Sequence, residues 1–86
     1  MYSFEIKEEL EKSLQKLAQK DKRHYQSVVK KILQIAGNPE MGKPLRNVLK
    51  GRRRVHVGHF VLIYEVDEKN KRVIFLDFEH HDRAYK

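Results

Sequence analysis

The apolar residues of this chain repeat with two different periods, one in each half of the sequence. Leu10, Leu14 and Leu17 recur at spacings of four and three, and Tyr25, Val28, Val29, Ile32, Leu33 and Ala36 continue the same kind of stripe. Such spacing aligns side chains on one face of an α-helix. From Arg52 onward the repeat is two: Val55 and Val57 alternate with Arg54 and His56, then Phe60, Leu62, Tyr64 and Val66 with Val61, Ile63 and Glu65. That is the pattern of strands. Helices in one block and strands in another predict an α+β fold, with the helices gathered on one face of an antiparallel sheet.

Local signals set the limits of each element. Tyr2, Phe4 and Ile6 alternate with Ser3, Glu5 and Lys7, which predicts a short N-terminal strand. Glu8, Glu9, Glu11, Lys12, Lys16 and Lys20 take the solvent side of the first helix, with Glu8 and Lys12 at i,i+4. Asp21 is placed to cap a second helix, because its carboxylate can accept from the open amides of the next turn. Gly37-Asn38-Pro39 should end it, with Gly37 suited to a left-handed position and Pro39 unable to continue the ladder. Gly42 and Pro44 mark a loop that Leu45, Val48 and Leu49 would anchor to the core. Gly58-His59 reads as a tight connection, residues 67–71 as a polar turn and residues 73–78 as a third β-run. The expected order is β-α-α-β-β-β in a single domain spanning residues 1–86. Both helices are used on one sheet face, so the other must meet solvent, RNA or a partner protein.

Composition narrows the classes of function. A domain of 86 residues buries only about 60–65% of its unfolded surface, so it needs good packing or a partner. The absence of cysteine excludes a disulfide framework and a thiolate metal site. No apolar run approaches the ~18 residues of a membrane span, and the start MYSFEIKEEL lacks the form of a signal peptide. A soluble cytoplasmic protein, with no membrane partner, is therefore expected.

Charge is segregated along the chain. Residues 41–64 carry six Lys/Arg (Lys43, Arg46, Lys50, Arg52, Arg53, Arg54) and no Asp or Glu, in a chain of net charge +7. One reading is an electrostatic footprint for a polyanion, RNA especially. The other is a solvated basic edge that deters pairing between sheets. Strand geometry puts Arg52, Arg54 and His56 on the open face, opposite Val55 and Val57. Near the end of the chain, His80 and His81 stand among Asp77, Glu79 and Asp82, with Tyr85 close behind. Neighbouring histidines on a strand point apart and make a poor metal pair. Either they cap a C-terminal helical turn while Tyr85 packs back on the sheet, or acidic neighbours orient an imidazole for proton transfer. Metal-free RNA cleavage needs a base for the 2′-hydroxyl, an acid for the leaving 5′-oxygen and cations for the phosphorane charge. His56, His59, His80, His81 and Tyr85 are candidates for the first two roles, and Lys50, Arg52 and Arg54 for the third.

The run LKGRRRVHVGHFVLIYEVD at residues 49–67 resembles the "LkG…yRiRvGdyRviYeid" core of RelE/ParE-superfamily toxins. The ending HHDRAY at residues 80–85 resembles their "gHR…vY" terminus, and the predicted element order matches as well. The resemblance implies the toxin of a type II toxin–antitoxin pair, whose RelE branch cleaves mRNA in the ribosomal A site without metal. The family's basic residues on the second strand fall on Arg54 and His56. Its next arginine falls on Val61, an apolar replacement; its terminal arginine falls on His81 and its terminal tyrosine on Tyr85. By this resemblance Arg54, His56, His81 and Tyr85 form the catalytic set. Lys43, Arg46, Lys50, Arg52 and Arg53 would hold RNA phosphates, with no cofactor and no metal. The implied partners are a cognate RelB-like antitoxin, the ribosome with its A-site message and, for the toxin–antitoxin complex, operator DNA. Val61 and Ile63 should lie exposed on the open face, where an antitoxin would cover them. A ParE-like inhibitor of DNA gyrase would share the fold without needing imidazoles. A non-catalytic protein that only occupies the A site or binds its antitoxin is the third possibility.

Overall fold

A computed structural model describes residues 1–45 and 51–80. Strand β1 (Ser3–Ile6) runs into helix α1 (Glu8–Lys20) and helix α2 (Lys22–Gly37). A 3₁₀ turn (Pro39–Met41) leads to β2 (Lys43–Pro44), then β3 (Arg52–Val57), β4 (Phe60–Asp67) and β5 (Arg72–His80). The five strands lie in the order β1-β5-β4-β3-β2. From β2 to β5 each strand is antiparallel to its neighbour, whereas β1 lies parallel to β5. The α+β class and the helical hairpin on one face are as expected, but the sheet is mixed rather than antiparallel. Alternation marks β1 as a strand without naming its partner, and the long helical connection lets it reach the last strand of the chain. The stretch expected as loop contributes β2, with Lys43 opposite Arg54 and Pro44 opposite Arg53. Two residues are too few to show a period, and Pro44 is tolerated there because an edge strand has one unpaired side.

The helices form where the stripes predict them. The Asp21 carboxylate accepts from the His24 amide at 3.1 Å, the expected cap. At the other end Gly37 stays helical without a positive φ, and Asn38 (φ −152°) closes the helix instead. Pro39 then opens the 3₁₀ turn. The buried stripe of α2 is also rotated from the expected one: Ile35 is fully buried, while Leu33 is 50% exposed. Leu10, Leu14, Val28, Ile32 and Ile35 pack on Val57, Leu62, Tyr64, Val73 and Phe75 to make the core. Each such side chain contributes roughly 1.5–3 kcal/mol by leaving water.

Two features of the sheet decide what its open face presents. Tyr64, buried on the helix side, donates its hydroxyl to the Pro39 carbonyl at 2.6 Å and accepts from the Gly42 amide at 3.0 Å. Arg53 Nη1 donates to the carbonyls of Gly42 (2.8 Å) and Glu40 (3.3 Å). These bonds fix the 3₁₀ turn and set Lys43 beside Arg54. Gly42 must be glycine for steric reasons: a Cβ there would come within 2.5 Å of the Tyr64 hydroxyl and 2.9 Å of the Arg54 carbonyl. The second feature is a β-bulge. Ile63 pairs with Asp77 but Tyr64 with Phe75, which leaves Leu76 as the extra residue in β5.

Candidate functional site

Residues directly opposite one another in a sheet project to the same face. The register therefore builds the open face in rows. Lys43, Arg54, Ile63 and Asp77 form one row, and His56, Val61 and Glu79 form the next. Arg52, Glu65 and Ile74 form a third, which Glu5 extends from β1. At the β2–β3 end of these rows is a shallow hollow of about 170 Å³ lined by Met41, Lys43, Arg54, Val55 and His56. Two cations of different geometry and one imidazole thus meet in one depression. The Arg54 guanidinium can grip a phosphate with two parallel hydrogen bonds, and Lys43 adds a point charge. His56 is exposed and can exchange a proton with whatever occupies the hollow.

The predicted residues separate into three groups. Lys43, Arg52, Arg54 and His56 share the open face. Arg53 faces the helix side, apart from these cations, and its Nη1 donates to the 3₁₀ turn. Arg46, Lys50, His81 and Tyr85 lie outside the described residues, as do the expected anchors Val48 and Leu49.

The remaining histidines lie elsewhere. His59 is exposed at the tip of a two-residue hairpin turn whose first residue, Gly58, has φ +64°. His80 is carried to the helix side, its ring 5.4 Å from Phe60. Phe60 stacks on Phe78 at 4.8 Å, and His24 packs against both rings at 5.2 and 5.6 Å.

Val61 lies on the open face as expected but is fully buried, and Ile63 is half-buried. Val61 sits on the central strand with His56 and Glu79 in register on either side, so it is not the exposed patch foreseen for a partner. Exposed apolar surface is found instead on the helix side, at Phe4 (44%) and Leu33 (50%). These flank a groove of about 540 Å³ between β1 and the two helices, whose lining includes Ile6, Leu14, Val29 and Ile32. Asp77 and Glu79 are additions to the open face that sequence reasoning did not place. The bulge turns them there, and no residue pattern announces it.

Among the described residues no group of three or more His, Cys, Asp or Glu could hold a metal ion, and no helix is long and apolar enough to cross a membrane. Burial of Tyr64 raises its phenol above the usual tyrosine value, although the Gly42 amide and the Arg53 charge oppose the shift. The hydroxyl that holds the 3₁₀ turn therefore stays protonated.

Comparison with known proteins bears on the fold and the family. The family described as "ParE toxin of type II toxin–antitoxin system, parDE" matches residues 4–85. A Methanocaldococcus jannaschii protein named RelE4 and described as a candidate toxin is 48% identical over 87 aligned positions, covering 100% of this chain and 93% of that protein. Among solved structures, the toxin–antitoxin complex RelBE2 of Mycobacterium tuberculosis is similar with a TM-score of 0.79 at 27% identity, over 92% of this chain and 96% of the other. The isolated RelE toxin of Escherichia coli shares the fold with a TM-score of 0.80 at 16% identity, over 99% of this chain and 96% of that one.

Proposed function

The chain belongs to the RelE/ParE superfamily of type II toxin–antitoxin toxins, and we propose that it is a ribosome-dependent, metal-independent endoribonuclease that cuts mRNA in the A site. The observation that carries this reading is the hollow in which Lys43, Arg54 and His56 converge on the open sheet face. A toxin acting on a protein target needs no imidazole beside two phosphate-binding cations. In this scheme Arg54 and Lys43 hold the scissile phosphate and stabilise the charge that grows on it, with Arg52 flanking in the same face. His56 transfers a proton to or from the reacting oxygens. His81 and Tyr85, at the family's terminal positions, complete the set. The cognate partner is an antitoxin whose apolar helix fits the groove beside Phe4 and Leu33, as an amphipathic segment fits a hydrophobic cleft.

The test is cleavage of a defined mRNA on programmed ribosomes, with free mRNA and gyrase supercoiling run in parallel. Cuts confined to the A-site codon and absent on free RNA are expected. Arg54→Ala and His56→Ala should each lower the cleavage rate by about 10²-fold or more, the range for losing a charge-stabilising or proton-transferring group. Intact message with inhibited gyrase would assign the ParE-type target. Intact message with arrested translation would leave a protein that occupies the A site without chemistry.

A further inference from the structure

Helix α2 carries Lys22, Arg23, Lys30 and Lys31 and no acidic residue between positions 22 and 37. Ser27, Lys30, Lys31 and Gln34 are spaced i, i+3, i+4 and i+7, which gives one polar stripe along the helix. That stripe borders the buried one formed by Val28, Ile32 and Ile35, so it lies at the margin between helix and sheet. The structure brings it against the end of β3. Ser27, Lys30, Lys31 and Gln34 line a second hollow, of about 320 Å³, together with His56, Val57 and Gly58.

His56 thus belongs to two hollows at once. It lines one hollow together with Lys43 and Arg54 and the other together with Lys30 and Lys31. No Asp or Glu is among the described residues lining either depression. Lys30, Lys31 and Lys43 form no ion pair among the described residues. Among the described residues β2 pairs with Arg53 and Arg54. The end of β3 at His56 and Val57, with Gly58 of the following turn, therefore runs on past β2, beside α2.

We infer that the α2 hollow is a second phosphate subsite, which holds the phosphate next to the one at Lys43 and Arg54, with His56 as the wall between them. The occupant is the phosphodiester backbone of a single RNA strand, and in naming RNA this rests on the nuclease reading above. The lining favours a nucleic acid over a protein: it is polar and cationic, whereas the apolar groove suited to a protein helix lies beside β1. Two adjacent phosphates held on either side of one imidazole would fix the path of the strand past His56. Lys30 and Lys31 are then positioning residues for the cut.

The experiment uses the full chain and a short, fluorescently labelled single-stranded RNA whose 2′-hydroxyls are methylated, so that it binds without being cut. Its affinity is measured across a salt series for the unmodified protein, for Lys30→Ala/Lys31→Ala and for Lys16→Ala/Lys20→Ala, which removes the same charge from α1. Alanine favours helix, so both variants should fold; Lys30→Gln/Lys31→Gln provides the neutral pair if the first melts early. Loss of the one phosphate held by this subsite should reduce the magnitude of the slope of log affinity against log salt by about 0.7, the value per phosphate on a single strand. The α1 variant should keep the original slope, because Lys16 and Lys20 line neither hollow.

Equal slopes for the two variants would overturn the inference. So would a Lys30/Lys31 variant that keeps its RNA affinity but loses its antitoxin, which would assign the stripe to a protein. If the unmodified protein cuts message on ribosomes while the slopes stay equal, only the subsite fails. If the slopes differ as expected but no message is cut, the nuclease reading fails and the subsite stands.

Discussion

Replacing Tyr64 with phenylalanine removes one oxygen atom and should cost far more than its size suggests. The ring is fully buried and packs 5.8 Å from Phe75, so Phe fills the same space. What is lost is a hydroxyl that serves two backbone groups of a buried turn, the Pro39 carbonyl at 2.6 Å and the Gly42 amide at 3.0 Å. Pro39 and Gly42 are themselves buried, so water cannot readily replace the missing partner. Each unsatisfied buried group costs about 1–3 kcal/mol. Partial relaxation of the turn keeps the total nearer 2–4 kcal/mol by the same reasoning. In a domain of this size that is a fall in Tm of about 10 °C or more. Urea unfolding at neutral pH measures it directly, with Tyr25→Phe as a control that should stay within about 0.5 kcal/mol.

The pH dependence of the same pair is a second readout. Because the phenol of Tyr64 is raised in the folded protein, the unfolded chain ionises first. Its contribution is complete below the ordinary tyrosine value of about 10 and is lost as pH rises through the folded value. The stability gap between the unmodified protein and Tyr64→Phe should therefore narrow in strong alkali. A Tyr64→Phe protein as stable as the original at neutral pH would refute the account of the turn.

Three further outcomes are expected. Arg53→Ala should lower stability by about 1–2 kcal/mol, through loss of its bonds to Gly42 and Glu40, while the folded fraction retains the proposed nuclease activity; unchanged melting with lost cleavage would put Arg53 in the site after all. His24→Phe should raise the urea midpoint, corresponding to about 1 kcal/mol, because the Nε2 atom of His24 is buried with no hydrogen-bond partner among the described residues and the new ring keeps the contacts with Phe60 and Phe78. A lower midpoint would mean that this nitrogen is satisfied in solution. Asp67 accepts from the side chain and amide of Asn70, bonds that hold its carboxyl below the usual carboxylate range. Its contribution is present above the unfolded value and disappears as pH falls through the folded one, so the unmodified protein and Asp67→Ala should converge in stability in strong acid.

The parts of the fold that sequence reveals are those set by local repetition. The two helices, their Asp21 cap, the Gly58-His59 hairpin and the strand face shared by Arg54 and His56 all follow from spacing alone. The parts that escape it depend on pairing between distant segments. Ser3–Ile6 reads as a strand, but its parallel place beside β5 is decided only when the sheet assembles. Lys43 and Pro44 read as loop, and become an edge strand because Tyr64 and Arg53 hold the preceding turn.

The bulge at Leu76 has the largest consequence for function. Strict alternation from the buried Val73 and Phe75 would carry Asp77 and Glu79 to the helix side and His80 to the open face. One extra residue in β5 reverses this. Asp77 and Glu79 join the rows that hold Arg54 and His56, while His80 packs on Phe60. An acidic margin then faces a basic one across the central strand, with Val61 and Ile63 between them. On the proposed reading, phosphate would be drawn to the β2–β3 side of the face and repelled from the β5 side. A single unpaired residue, invisible to any periodic pattern, would then set on which side of the face the proposed RNA strand lies.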